Sequence, residues 1–273
     1  MTLRRCRVPL LLTAVVLLGG LGLLTQLWPH PSSEAAAPVR GDAEAKADDK
    51  RLSPAANLRI HAAASDERIK TLLDPGAAAW KDAAPTKVLL NRTPRVYQTE
   101  PPFTGKIPGL EVRAVRAEGK LVVRLEWDDA TKNAPEPPPR KTGEGGDPDK
   151  LYKRPTGETS QFPDAAAVMI PEHWTGPGFP SLQMGDAKNP VRIFYWNASR
   201  GAEELAASGR ATPTPSGRTF AHRVEYAAEK WRVTLELPEQ PDGTPAAFAV
   251  WDGASDDRDG LKFFSIWYVL AAK

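Results

Sequence analysis

Polar and apolar residues alternate with period two through much of the chain beyond residue 90. In 121–127, Leu121, Val123, Leu125 and Trp127 share one face, and Val122, Arg124 and Glu126 the other. In 231–237, Trp231, Val233, Leu235 and Leu237 alternate with Arg232, Thr234 and Glu236. This spacing predicts strands with one buried and one wet face, because successive strand side chains point to opposite sides of a sheet. Further strands are expected at 110–117, 165–170, 191–197, 219–226, 246–251 and 261–270, with one short helix at 202–208. Many short strands separated by Pro and Gly turns indicate an all-β chain folded as an antiparallel β-sandwich.

The N-terminus has a different pattern. Arg4, Arg5 and Arg7 precede an apolar run from Val8 to Leu24 broken only by Thr13. Its length nears the roughly 17–25 residues of a spanning helix, while Ala35, Ala36 and Ala37 supply the small residues of a cleavage site. Residues 1–28 therefore read as a signal peptide or a signal anchor, with membrane contact through 8–28 if uncleaved. Arginines on the entry side place the body outside the cytoplasm in either case, in the periplasm of a bacterial cell. Residues 29–73 read as tether and linker, with a short strand and helix at 58–73, and Asp74-Pro75-Gly76 ends them with turn chemistry. Residues 74–273 form the domain, interrupted by an aperiodic loop at 132–161 rich in Pro and Gly.

Composition narrows the chemistry. Net charge is +2, and without Arg4, Arg5 and Arg7 the chain has 33 basic against 34 acidic residues, which argues against nucleic-acid binding. The only cysteine is Cys6, so the domain has no disulfide, thiolate metal site or covalent c-type haem attachment.

Few side chains single themselves out. The expected 261–270 strand is apolar on both faces, yet Lys262 shares one of them with Phe264, Ile266, Tyr268 and Leu270. Such a lysine either reaches water with its tip or loses its charge to burial, and a neutral amine is a possible metal ligand. Met169 reads as core. Met184 lies in a loop, Phe179-Pro180-Ser181-Leu182-Gln183-Met184-Gly185-Asp186, ahead of Phe194-Tyr195-Trp196. Its thioether either packs the loop or meets a haem iron. His222 is the rival of Lys262, imidazole being the commoner haem ligand. Asp252, Asp256, Asp257 and Asp259 lack EF-hand spacing and read as a solvated turn. No nucleophile elbow, phosphate loop or dinucleotide fingerprint is present.

Several segments recur in a fixed order: Asp74-Pro75 with Trp80, Leu125-Glu126-Trp127-Asp128-Asp129-Ala130-Thr131, Phe162-Pro163-Asp164-Ala165-Ala166-Ala167-Val168-Met169, and Gln183-Met184-Gly185-Asp186 with Pro190-Val191 and Phe194-Tyr195-Trp196. Trp231-Arg232-Val233, Ala247-Phe248-Ala249-Val250-Trp251-Asp252-Gly253, and Lys262 to Ser265 with Trp267-Tyr268 complete the set. Together they resemble the haem-binding γ subunit of ethylbenzene dehydrogenase and its dimethylsulfide, selenate and chlorate enzyme counterparts. The resemblance implies a DOMON-like sandwich holding one non-covalent haem b, with Met184 and Lys262 as axial ligands and Trp196, Trp251 and Phe264 as haem-contacting residues. It further implies an electron-transfer subunit without substrate chemistry of its own. Its partners would be a molybdopterin catalytic subunit, an iron–sulfur subunit and an external carrier such as a c-type cytochrome or quinol. Where the family usually has two aromatics or a second methionine ahead of the ligand, this chain has Ser181-Leu182-Gln183. The alternative from another class is an exported carbohydrate-binding sandwich, with Trp174, Trp196 and Trp251 stacking on sugar rings.

Overall fold

The computed structural model describes residues 59–94, 106–107, 109–136, 162–176, 178–210 and 212–272. The expected export segment, the tether as far as residue 58 and most of the 132–161 loop lie outside the described residues. In chain order the elements are β1 (Arg59–Ala64), α1 (Ile69–Leu72), β2 (Thr86–Leu89), β3 (Asn91–Arg92), β4 (Gly109–Ala117) and β5 (Lys120–Asp128). After these come β6 (Ala165–Pro171), β7 (Val191–Asn197), β8 (Gly201–Ala207), β9 (Thr214–Pro215) and β10 (His222–Tyr226). The last are β11 (Lys230–Pro238), β12 (Pro245–Trp251), β13 (Phe263–Phe264) and β14 (Tyr268–Ala272).

The strands form one mixed sheet with the path β10-β11-β5-β4-β1-β14-β12-β6-β7-β8-β9. Alternation sets the register. Trp231 pairs with Trp127 across β11 and β5, so both rings fall on the same face. There they meet Trp196 from β7, with centroids 6.3 Å (Trp127–Trp231), 6.4 Å (Trp127–Trp196) and 5.0 Å (Trp196–Trp231) apart. The two ends of the sheet thus share one core, filled by aromatics that each bury about 150–250 Å².

Four expectations need correction. The sheet is not purely antiparallel: β1 runs parallel to both β4 and β14. The segment ahead of residue 74 supplies a central strand, and the passage through α1 and β2 is long enough for the crossover that parallel pairing requires. The helix expected at 202–208 is strand β8. Ala, Glu and Leu favour helices, but the open edge of β7 pairs with all seven residues of β8, and tertiary pairing overrides propensity. Glu204 is held there by Arg192 (2.9 and 2.9 Å) and Arg218 (3.1 Å).

The final strand is broken. Ser265 donates its N–H to the Phe248 carbonyl (2.9 Å), while its Oγ accepts the Phe248 N–H (2.9 Å). That interruption sends Phe263, Tyr268 and Leu270 into the main core, and Phe264 and Trp267 to the opposite side. The acidic turn is not simply solvated either. Asp257 is buried against Arg92, and burial pushes its carboxyl up to about 6 despite that partner.

Candidate cofactor site

β6, β7 and β12 each turn alternate residues away from the main core. On that second face lie Ala165, Ala167 and Met169, then Val191, Ile193 and Tyr195, then Ala247, Ala249 and Trp251. The register aligns Phe264, Ala249, Ala167 and Tyr195 in one row, and Trp251, Ala165 and Asn197 in the next. Four alanines keep the middle of this surface flat, and aromatic side chains stand at its borders. Leu182, Met184, Leu205 and Trp267 pack on the same cluster. A flat apolar floor with aromatic edges suits a planar macrocycle.

Met184 is held by its loop. The Gly185 N–H donates to Ser181 O (2.8 Å), and Asp186 and Asn189 exchange backbone hydrogen bonds of 3.1 Å each. The Asp186 carboxylate also accepts the N–H groups of Lys188 (2.9 Å) and Asn189 (3.0 Å). Within this frame Met184 adopts φ 66° and Gly185 φ 75°. A methionine in the left-handed region is uncommon, and such strain is kept only where the surroundings over-determine it. The Met184 carbonyl accepts the Gly209 N–H (2.9 Å), which ties the loop to the turn after β8.

Gly185 has no room for a side chain: a Cβ would stand 2.7 Å from Asn189 O and 3.1 Å from Val191 Cγ1. Gly185→Ala is therefore expected to cost about 1–3 kcal/mol, from positive φ and overpacking together. Thermal melting checks this, and a neutral result would show that the loop does not fix Met184.

Lys262 meets this cluster at Trp251. Its Nζ stands 5.3 Å from the centre of the Trp251 ring and donates to the Asp259 carbonyl at 3.4 Å. Burial pushes the amine down to about 8, with the Asp259 carboxylate opposing that shift and Arg210 adding to it. Arg210, whose charge acts on Lys262, follows Gly209, whose N–H bonds the Met184 carbonyl. The backbone of Lys262 is fixed by Thr93, which donates both its N–H and its Oγ–H to the Lys262 carbonyl (2.9 Å each). A soft thioether and an amine partly freed of its proton are donors fit for haem iron, and the alanine floor fits the ring.

Of the five residues expected to contact the cofactor, Met184, Trp251 and Phe264 lie in this cluster, and Lys262 stands over Trp251. Trp196 does not join them. It points the other way, 2% exposed among Trp127 and Trp231, because even and odd positions of β7 face opposite sides. His222 sits on β10 beside Phe220 and Gly201, outside the cluster, and burial lowers its pKa. Met169 shares the Met184 face rather than the main core, which makes it the second thioether of the site. The alanine floor carries no chemical motif, although its period-two signal is visible in Ala165-Ala166-Ala167 and Ala247-Phe248-Ala249. A surface cleft of about 320 Å³ lined by Ser65, Arg116, Glu118 and Glu239 contains none of these residues.

A family model described as ethylbenzene dehydrogenase matches residues 77–244, more than half of the chain. The chain belongs to the ethylbenzene dehydrogenase γ-subunit family. The family match contains Met184 and ends ahead of Lys262. Similar proteins include the chlorate reductase subunit gamma of Ideonella dechloratans, 32% identical over 210 residues (72% of this chain, 78% of that one). The dimethylsulfide dehydrogenase subunit gamma of Rhodovulum sulfidophilum is 27% identical over 229 residues (74% and 76%). A protein of Haloferax mediterranei, named for the heme subunit of a respiratory nitrate reductase, is 29% identical over 206 residues. That alignment covers 71% of this chain and 66% of the Haloferax protein, just under two thirds of its length.

Proposed function

We propose that this chain is a haem b electron-transfer subunit of an exported multisubunit molybdenum oxidoreductase, with Met184 and Lys262 as the axial ligands. The observation that carries the reading is the second face of β6, β7 and β12. A flat alanine floor there meets a loop-fixed thioether, and an amine lowered to about 8 stands over the adjoining Trp251. The names of the similar proteins, two gamma subunits and one heme subunit, support it. When bound, the haem supplies one-electron redox chemistry, and a thioether ligand favours its ferrous form. The chain itself would bind and orient the ring, exclude water with Trp251, Phe264 and Trp267, and bring no substrate chemistry. A molybdopterin subunit and an iron–sulfur subunit would be its electron-transfer partners, with a c-type cytochrome or quinol as external carrier. The arginines at 4, 5 and 7 and the apolar run after them support a location outside the cytoplasm.

The three tryptophans of the carbohydrate-binding alternative do not form one platform. Trp196 and Trp251 are both buried and face opposite sides of the sheet, so with Trp174 they do not offer one stacking surface.

Haem titration into the purified full chain, followed by visible absorption, tests the proposal. A Soret band with sharp reduced-state α and β bands is expected, and a protein that takes up no haem contradicts it. The pH dependence follows from the lysine. Only the neutral amine ligates, so below a pKa of about 8 a proton must leave on binding. Affinity should therefore fall with pH below that point, approaching about tenfold per pH unit, and level off above it. Lys262→Leu should flatten that dependence.

A further inference from the structure

Three aspartates lie together away from the haem face, at the end of the main core. Asp129 follows β5, Asp164 precedes β6 and Asp252 follows β12. They meet because Ala165 pairs with Trp251 in the β6–β12 ladder and because Trp231 donates its indole N–H to Asp164 Oδ2 (3.1 Å). One carboxylate oxygen from each lies within 4.8 Å of the others. Oxygens sharing one calcium ion at about 2.3–2.6 Å stand up to about 5 Å apart.

Donors root each side chain in place. Asp164 accepts the N–H groups of Asn133 (2.6 Å) and Gly253 (2.9 Å), and Asp252 accepts the Ala254 N–H (3.0 Å) and the Ser255 hydroxyl (2.6 Å). Asp129 is half-served: Oδ1 accepts the Thr131 N–H (3.1 Å), whereas Oδ2 is buried and takes no hydrogen bond. Asp129 is only 8% exposed, so water does not readily serve that oxygen from outside. The nearby Trp127 indole favours its charged form but closes no hydrogen bond. Among the described residues none of the three has an ion-pair partner; Arg92 serves Asp257, and Lys132 stands over the Trp231 ring. Burial, with the Asp164 carboxylate beside it, pushes Asp129 up to about 7. A buried carboxylate oxygen without a partner is costly, and groups of them are stabilised by protonation or by a cation.

We infer that Asp129, Asp164 and Asp252 bind one divalent cation of calcium's size, which fastens the ends of β5, β6 and β12 to one another. All three ligands are hard oxygens, which suit calcium or magnesium rather than zinc. Magnesium demands a tighter octahedron and gives up its waters reluctantly, so calcium is the better occupant of a site whose side chains are already fixed by other donors. The site is structural and makes no use of the haem ligands.

The test uses the full chain stripped with EDTA and dialysed at pH 7.5. Equilibrium dialysis with calcium chloride should give one bound ion per chain. The melting temperature should rise by about 5–10 °C at a hundredfold excess over Kd, with a smaller rise in magnesium chloride. Asp252→Asn, at the half-buried member, should abolish both responses while leaving the fold intact. Asp129→Asn should do the same. If calcium neither binds nor shifts the melt, the inference fails, and a higher melting temperature of Asp129→Asn would then show that the three acids share a proton.

Discussion

Met184→Ala is expected to weaken haem retention by on the order of 100-fold or more, because even outer partners of metal ligands are worth about 10–100-fold in affinity. The substitution removes the sulfur and leaves the loop, whose hydrogen bonds run through backbone groups and Asp186 rather than the Met184 side chain. The apoprotein should therefore keep most of its stability. The loss is large because the floor around Met184 is made of alanines, Trp251 and Phe264, which offer iron no ligand. Met169 is the natural control, since it shares the face but sits on β6 within the sheet. Met169→Ala should keep the six-coordinate spectrum. Haem off-rates and ferrous spectra measure both variants, and a reversal of their effects would move the sulfur ligand to Met169.

Gly253→Ala should cost about 3–5 kcal/mol, a large part of the roughly 5–15 kcal/mol that holds a domain folded. A Cβ there would stand 1.9 Å from the Phe162 carbonyl oxygen and 2.7 Å from Asn133 Cβ. The first contact is with backbone, so no rotamer change relieves it. Moving the chain away also endangers the buried Gly253 N–H bond to Asp164 Oδ1 (2.9 Å), and hydrogen bonds to charged groups are worth about 1.5–3 kcal/mol. Urea unfolding of the two proteins measures the difference. A loss under about 1 kcal/mol would mean that the segments before β6 and after β12 are not closely joined.

The regular strands are legible because alternation is a local signal. β5, β7, β11 and β12 fall within a residue or so of where period two places them. What is illegible depends on partners remote in sequence. Nothing within residues 202–208 announces a strand; the β7 edge makes it one. Likewise, the break at Ser265 answers Phe248, and the parallel placement of β1 answers β4 and β14. At the site, Met184 stood out by its loop and Lys262 by its apolar company. Trp196 lies on the face opposite Met184, since neighbouring aromatics on one strand face opposite ways and only the packed sheet shows which side is which. The meeting of Asp129, Asp164 and Asp252 is spread over three strand ends and has no spacing to find.

The Met184 sulfur and the Lys262 nitrogen are proposed to meet one iron. X-ray absorption at the iron edge of the haem-loaded full chain measures the sulfur directly, since the amine nitrogen adds to the four of the ring. One sulfur scatterer alongside nitrogen is predicted, with the sulfur lost in Met184→Ala and retained in Met169→Ala. An iron shell of nitrogen and oxygen alone, unchanged by either substitution, would contradict it.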